Sequence, residues 1–192
     1  PKVCAVYGQL ALDEFVLKEL LSNKGWWGNK YGLQIGALFV DIAKIDHLDA
    51  RIEYNRIRPY TYEHYDTVSS YTHYLYPLSH PAGANLQELI FELQYKPIKK
   101  LSISTSYIHL SQGLSTANYN AGEDPLHSFT DVINSYGNYI GQGILSKTNI
   151  FKIKADYALF HNFNCRLEYQ RRTQNPTYDG INSTNNYVAA GI

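Results

Sequence analysis

The sequence predicts an all-β fold, an antiparallel transmembrane β-barrel to which this chain contributes a segment of about eight strands. Three observations predict it: near-perfect apolar/polar alternation, connections that alternate between short and long, and tyrosines gathered at strand ends. Alternation is clearest in Leu48, Ala50, Ile52, Tyr54; Leu89, Phe91, Leu93, Tyr95; Phe151, Ile153, Ala155, Tyr157, Leu159; and Phe163, Cys165, Leu167, Tyr169. Between them stand Asp49, Arg51, Glu53; Glu92, Gln94; Lys152, Lys154, Asp156; and Arg166, Glu168. Successive strand side chains point to opposite faces, so each stretch has one oily face and one charged face. Such a sheet suits a wall between lipid and water.

In chain order, period two places strands near 2–12, 29–44, 48–62, 86–96, 100–113, 143–159, 162–173 and 185–192. Tight turns fall around Ile45–His47, Pro97–Lys99 and Phe160–His161. Longer connections cover about 13–28, 63–85, 114–142 and 174–184 and are rich in Tyr, Asn, Ser, Gly and Pro. Strict alternation of short turns with long loops is what an outer-membrane barrel shows, because its two ends face different compartments. Within the first long connection, Leu17, Leu20 and Leu21 with Glu14 and Lys18 predict a short amphipathic helical turn before Gly25, Trp26, Trp27 and Gly28. Tyr54, Tyr60, Tyr62 and Tyr169 lie towards the long-loop end and Tyr95 beside a tight turn, as girdles at both ends of an apolar band require.

Composition excludes several classes. With 17 basic and 17 acidic residues the chain is formally neutral, which leaves no basic excess to hold a nucleic-acid backbone. Lys96, Lys99 and Lys100 read as a solvated turn. No run of about 18 apolar residues exists, so no transmembrane helix is expected. Cys4 and Cys165 are expected to be two buried thiols, and no spacing supports a metal site. Scattered Ser and His residues without a paired base give no catalytic constellation, and no cofactor is called for.

The inward set is long and charged: Arg51, Glu53, Arg56, Arg58, Glu92, Lys152, Lys154, Arg166, Glu168 and Arg172. An eight-stranded barrel has an interior nearly filled by side chains, and such groups are costly to desolvate unless paired or wet. A larger barrel is therefore expected, with 1–192 as part of one barrel domain and no second domain. The final strand, at about eight residues, agrees.

Candidate binding residues lie where alternation fails. In EYNRIRPYTY (53–62), Pro59 cannot donate to a ladder and marks a strand end. There Arg56 and Arg58, flanked by Tyr60 and Tyr62, either hold anionic sugars by bidentate bonds and ring stacking or pair with Glu53, Glu88 or Glu92 to pin a loop. In HPAGANLQE (80–88), Pro81 and Gly83 are turn chemistry and Asn85 bonds nearby backbone, while His80 reads as a structural, hydrogen-bonded histidine. Trp26 and Trp27 either anchor their loop or stack on carbohydrate. His64, Asp66, His73 and His80 share one loop but make only a weak divalent-ion candidate, as do Glu123 and Asp124 for calcium.

Taken in order and spacing, VYGQLALDEF (6–15), EYNRIRPYTY (53–62) and HPAGANLQE (80–88) resemble the Bacteroidota branch of the capsule-assembly Wzi family, including gliding-motility RemB-like proteins. The resemblance covers most of the chain and is strongest over 6–96, and it implies that 1–192 is the C-terminal part of the barrel domain. It implies a non-enzymatic barrel of the bacterial outer membrane that binds or organises surface (capsular) polysaccharide and supports gliding. Its partners would be polysaccharide, outer-membrane lipid and motility or export proteins. The inward charges also suit a second reading, a porin or transporter for small solutes.

Overall fold

The computed structural model describes residues 3–66, 70–74, 76–78, 80–176 and 182–192. It is all-β. Eight strands form one antiparallel sheet: β1 (Val3–Glu14), β2 (Lys30–Val40), β3 (Leu48–Ile57), β6 (Leu86–Ile98), β7 (Leu101–Leu114), β8 (Ile144–Phe160), β9 (Phe163–Pro176) and β10 (Ser183–Gly191). They pair in chain order, β1-β2-β3-β6-β7-β8-β9-β10, with β1 and β10 as edges. A two-stranded hairpin of β4 (Thr72–His73) and β5 (Tyr76–Pro77) decorates one long loop, and α1 (Leu17–Ser22) another. The helical turn expected near Leu17 is thus present; the small hairpin has no period-two signal to reveal it. Residue 2 of the first expected strand, residues 67–69, 75 and 79 of the 63–85 connection and residues 177–181 of the 174–184 connection lie outside the described residues.

Two strands end earlier than their patterns suggest, for a backbone reason. β2 stops at Val40 because Asp41, Ala43 and Lys44 take positive φ (52, 57 and 64°), fixed by Asp41 Oδ1 accepting from the His47 amide and Asp49 Oδ1 from the Asp41 amide. β3 stops at Ile57 because Pro59 follows and Tyr60 and Tyr62 also take positive φ (64 and 73°).

The strand parity assigns two faces. On one lie Val6, Leu10, Leu33, Ile35, Ile52, Tyr54, Leu89, Phe91, Phe151, Ile153, Leu167 and Val188, with Leu10 level with Leu33, Ile35 with Tyr54, Ile52 with Phe91 and Tyr54 with Leu89. Among the described residues, no other part of the chain covers this face: Val6 is 72 % exposed and Val188 76 %. Accessible surface totals 11996 Å², against roughly 9,300 Å² for a compact soluble protein of 21.9 kDa. The only apolar core among the described residues is small, Ile57, Ala84 and Leu86 with Tyr62, Ala82 and Leu110 against it.

Cys4 and Cys165 sit on this uncovered face as free thiols, Cys4 exposed and Cys165 half-buried. The expectation of two buried thiols fails because none of the described residues packs over this face.

The opposite, inner face carries the charges, and they are paired along and across strands. Arg51 Nε meets Glu92 Oε2 at 2.8 Å and Arg51 Nη1 meets Glu53 Oε2 at 3.1 Å. Lys152 bonds Glu168 at 2.7 Å, and Asp156 takes Arg166 at 2.6 Å and Lys154 at 3.3 Å. Arg56 does not belong to this set: it pairs in register with Leu33 and Gln87 on the outer face and is exposed. Tyr7 stitches three strands on the inner face. Its ring crosses Gly36, where an added Cβ would lie 2.3 Å from Cζ, and its hydroxyl donates to Glu53 Oε2 at 2.6 Å.

Candidate functional site

At the long-loop end, segments 15–29, 58–85 and 115–143 fold together into a cap over the inner face. Its centre is polar and aromatic, and every element contributes one anchor. Lys30, the first residue of β2, is 0 % exposed. Its ammonium donates to the Glu63 carbonyl at 2.8 Å, faces Glu14 Oε1 at 3.4 Å, and lies 4.4 Å from the Phe129 ring centroid and 5.2 Å from that of Trp27. Those two ring faces and one carboxylate replace the water it has lost.

Arg58 leaves the end of β3 and is 9 % exposed. Nη2 donates to the carbonyls of Trp26 (3.0 Å) and Asn138 (3.1 Å), so one guanidinium ties two loops to the wall; burial pulls its pKa down. Tyr60 is buried against Trp27 edge to face, with ring centroids 6.4 Å apart. Its hydroxyl donates to Asn120 O and accepts from Gln142 Nε2, and burial raises its pKa. Asn85, fully buried with φ 54°, is the densest node. Nδ2 donates to the carbonyls of Gly113 (2.9 Å), Ala121 (3.0 Å) and Gln142 (3.0 Å), and Oδ1 accepts from the Gly141 amide at 2.8 Å.

Glu63 completes the cap. Buried at 0 % exposure, it accepts one described bond, from Asn120 Nδ2 at 3.2 Å, and Oε1 has no partner. Desolvation pushes its carboxyl up to about 8, against which the Asn120 bond and Lys30 pull only in part.

The residues singled out from sequence therefore separate. Arg58, Tyr60 and Asn85 are buried members of the loop framework, while Trp26 and Trp27 are half-buried, with centroids 6.3 Å apart and Trp27 packed on Phe129 at 5.2 Å. Tyr62 is half-buried, its ring 5.5 Å from that of Tyr71 and its amide donating to Asp13 Oδ2. Arg56 stands alone on the outer face, so the two guanidiniums do not converge on one ligand. Nor do they pin the loop by ion pairing: Glu53 and Glu92 go to Arg51, and Glu88 to His80 and Asn55. His80 is structural, with Nδ1 accepting from the Ala82 amide and Nε2 3.0 Å from Glu88 Oε2. No cluster of three His, Cys, Asp or Glu residues with metal-binding geometry occurs among the described residues.

What sequence reasoning missed is the surface of the cap. Tyr65, Tyr71, Tyr74 and Tyr76, all on the 58–85 loop and its hairpin, are 52–84 % exposed. Their spacing follows no strand or helix period, so only the density of tyrosine could have drawn attention to them.

The outer face has a sharp margin towards the cap. The last apolar or aromatic residues before it are Leu12 level with Tyr31, Tyr54 with Leu89, Tyr107 with Phe151, and Tyr169 with Val188. Beyond them come Arg56, Gln87, His109, Asn149, Arg171 and Asn186. Three margin tyrosines reach across it to an amide on the next strand of the sheet: Tyr54 to Gln87 (3.4 Å), Tyr107 to Asn149 (2.8 Å) and Tyr169 to Asn186 (3.0 Å). The margin descends through the hydrogen-bond register from β1 to β10 by about one residue per strand. With a rise of about 3.3 Å per residue and about 4.8 Å between strands, that slant is about 35°.

Comparison with protein families, with curated proteins and with solved structures gives no match for this chain.

Proposed function

We propose that the chain forms part of the wall of an outer-membrane β-barrel whose loop cap contacts surface polysaccharide, a non-enzymatic role in capsule organisation that also suits gliding. The observation that carries this reading is the slanted margin. A band parallel to a membrane must cross the hydrogen-bond rows of a closed barrel at the strand tilt, which is about 35–45° in such barrels. The slant of about 35° falls in that range, and margin tyrosines place a ring in the band and a hydroxyl beyond it. An open sheet edge has no partner in lipid, so the wall requires closure by further strands at β1 and β10.

Glycan contact rests on Tyr65, Tyr71, Tyr74 and Tyr76, whose rings offer stacking faces to sugars at the end of the wall that carries the long loops. The motifs that resemble the Wzi family point the same way. The test is polysaccharide retention by outer-membrane vesicles carrying the protein. Tyr74→Ala with Tyr76→Ala is expected to lower retention about tenfold at unchanged protein content; unaltered retention removes the tyrosine platform from the proposal.

A further inference from the structure

Beneath the cap, between the inner face of β1, β2, β3, β6 and β7 and residues Tyr62, His80, Pro81 and Ala82, lies a cavity of about 510 Å³. That is the size of a site for a small ligand. Its polar lining is Gln9, Gln34, Glu53, Asn55, Glu88 and His80, and no lysine or arginine lines it. Glu53, Asn55 and Glu88 are nearly fully buried and held as one unit: Asn55 Nδ2 donates to Glu53 Oε1 at 3.1 Å and to Glu88 Oε2 at 3.0 Å. Both described bonds to Glu88, from Asn55 and His80, end on Oε2, so Oε1 is the atom left to accept from a ligand. The remaining wall is apolar, with Ile57, Ile90 and Ile108 beside the Tyr62 ring.

From this arrangement we infer that the cavity is a binding site for a small amino sugar. Its ammonium would sit at Glu88, its hydroxyls at the amides of Gln9, Gln34 and Asn55, and its less polar ring face on the isoleucines. Two buried carboxylates without a lining Lys or Arg repel an anionic sugar and favour a cation. Glu53 already shares its charge with Arg51, and Glu88, whose Oε2 faces His80 Nε2, keeps Oε1 to select the ammonium. Amide side chains supply both donors and acceptors, as a ring of hydroxyls requires. None of the exposed tyrosines Tyr65, Tyr71, Tyr74 and Tyr76 lines the cavity.

Titration calorimetry of the full chain in detergent micelles tests it, with glucosamine as the probe and N-acetylglucosamine and putrescine as comparisons. Glucosamine is expected to bind saturably, and both comparisons at least tenfold more weakly, the first for lack of a charge and the second for lack of hydroxyls. Glu88→Gln should weaken glucosamine at least tenfold. Ile90→Trp, which fills the cavity and leaves Glu88 in place, should abolish binding even where Glu88→Gln perturbs the Asn55 unit. Equal affinity for either comparison, or binding that survives Ile90→Trp, overturns the assignment. Polysaccharide retention by vesicles is read separately, so failure here leaves the glycan platform standing and failure there leaves this site standing.

Discussion

At the scale of single residues, the cap depends on a few buried polar groups, and Glu63 is the one that titrates. Its carboxyl is raised from 4.5 to about 8, so between those values the folded chain holds a proton that the unfolded chain has released. The contribution of Glu63 to stability is therefore greatest below about 4.5, falls as pH rises through the window, and is lost above about 8. The full effect is on the order of 3–5 kcal/mol. Protease cleavage within 58–85 should quicken over that range, and Glu63→Gln, whose carbonyl still accepts from Asn120, should make it flat; cleavage that slows as pH rises contradicts the assignment. Tyr7 and Gly36 make a second residue-scale case. A Cβ at Gly36 would displace the Tyr7 ring and break its bond to Glu53, so Gly36→Ala should cost about 1–3 kcal/mol. In a Tyr7→Ala background the same change should cost far less, which a double-mutant cycle by urea unfolding measures. None of this was legible beforehand. Lys30 and Glu63 sit in stretches without period, and their burial is created by loops that meet only after the sheet has formed.

At the scale of elements, alternation determines which side chains share a face, and it was read correctly along nearly every strand because period two survives any tertiary arrangement. Boundaries were less legible where non-glycine residues take positive φ, as at Asp41 and Tyr60, since no residue type announces that conformation. Arg56 illustrates the same limit: it continues the parity of Ile52 and Tyr54 and so faces outwards, although its charge suggested the interior. The outer face makes its own prediction. Ile153, in mid-band between Thr105 and Tyr169, should tolerate arginine poorly in lipid vesicles, at a cost of about 2–4 kcal/mol. Arg171→Leu, beyond the margin, should change little. Equal costs in equilibrium unfolding from vesicles would mean that this face does not meet lipid.

At the scale of the whole molecule, the slanted margin makes a quantitative statement about orientation. Polarised infrared dichroism of oriented bilayers should return a strand tilt of about 35° from the membrane normal, and strands lying in the membrane plane would refute the wall. The register needed to compute that angle comes from eight strands together, which is why no single stretch of sequence displays it. The cap has a consequence for permeability. Segment 58–85 is fastened by the two carbonyl bonds of Arg58 and the four bonds of Asn85, and loosening it means exposing those groups one after another. In the proposed barrel, a cap fastened in this way would act as an electrical insulator at rest, displaying loops to the outside without leaking the solutes behind them.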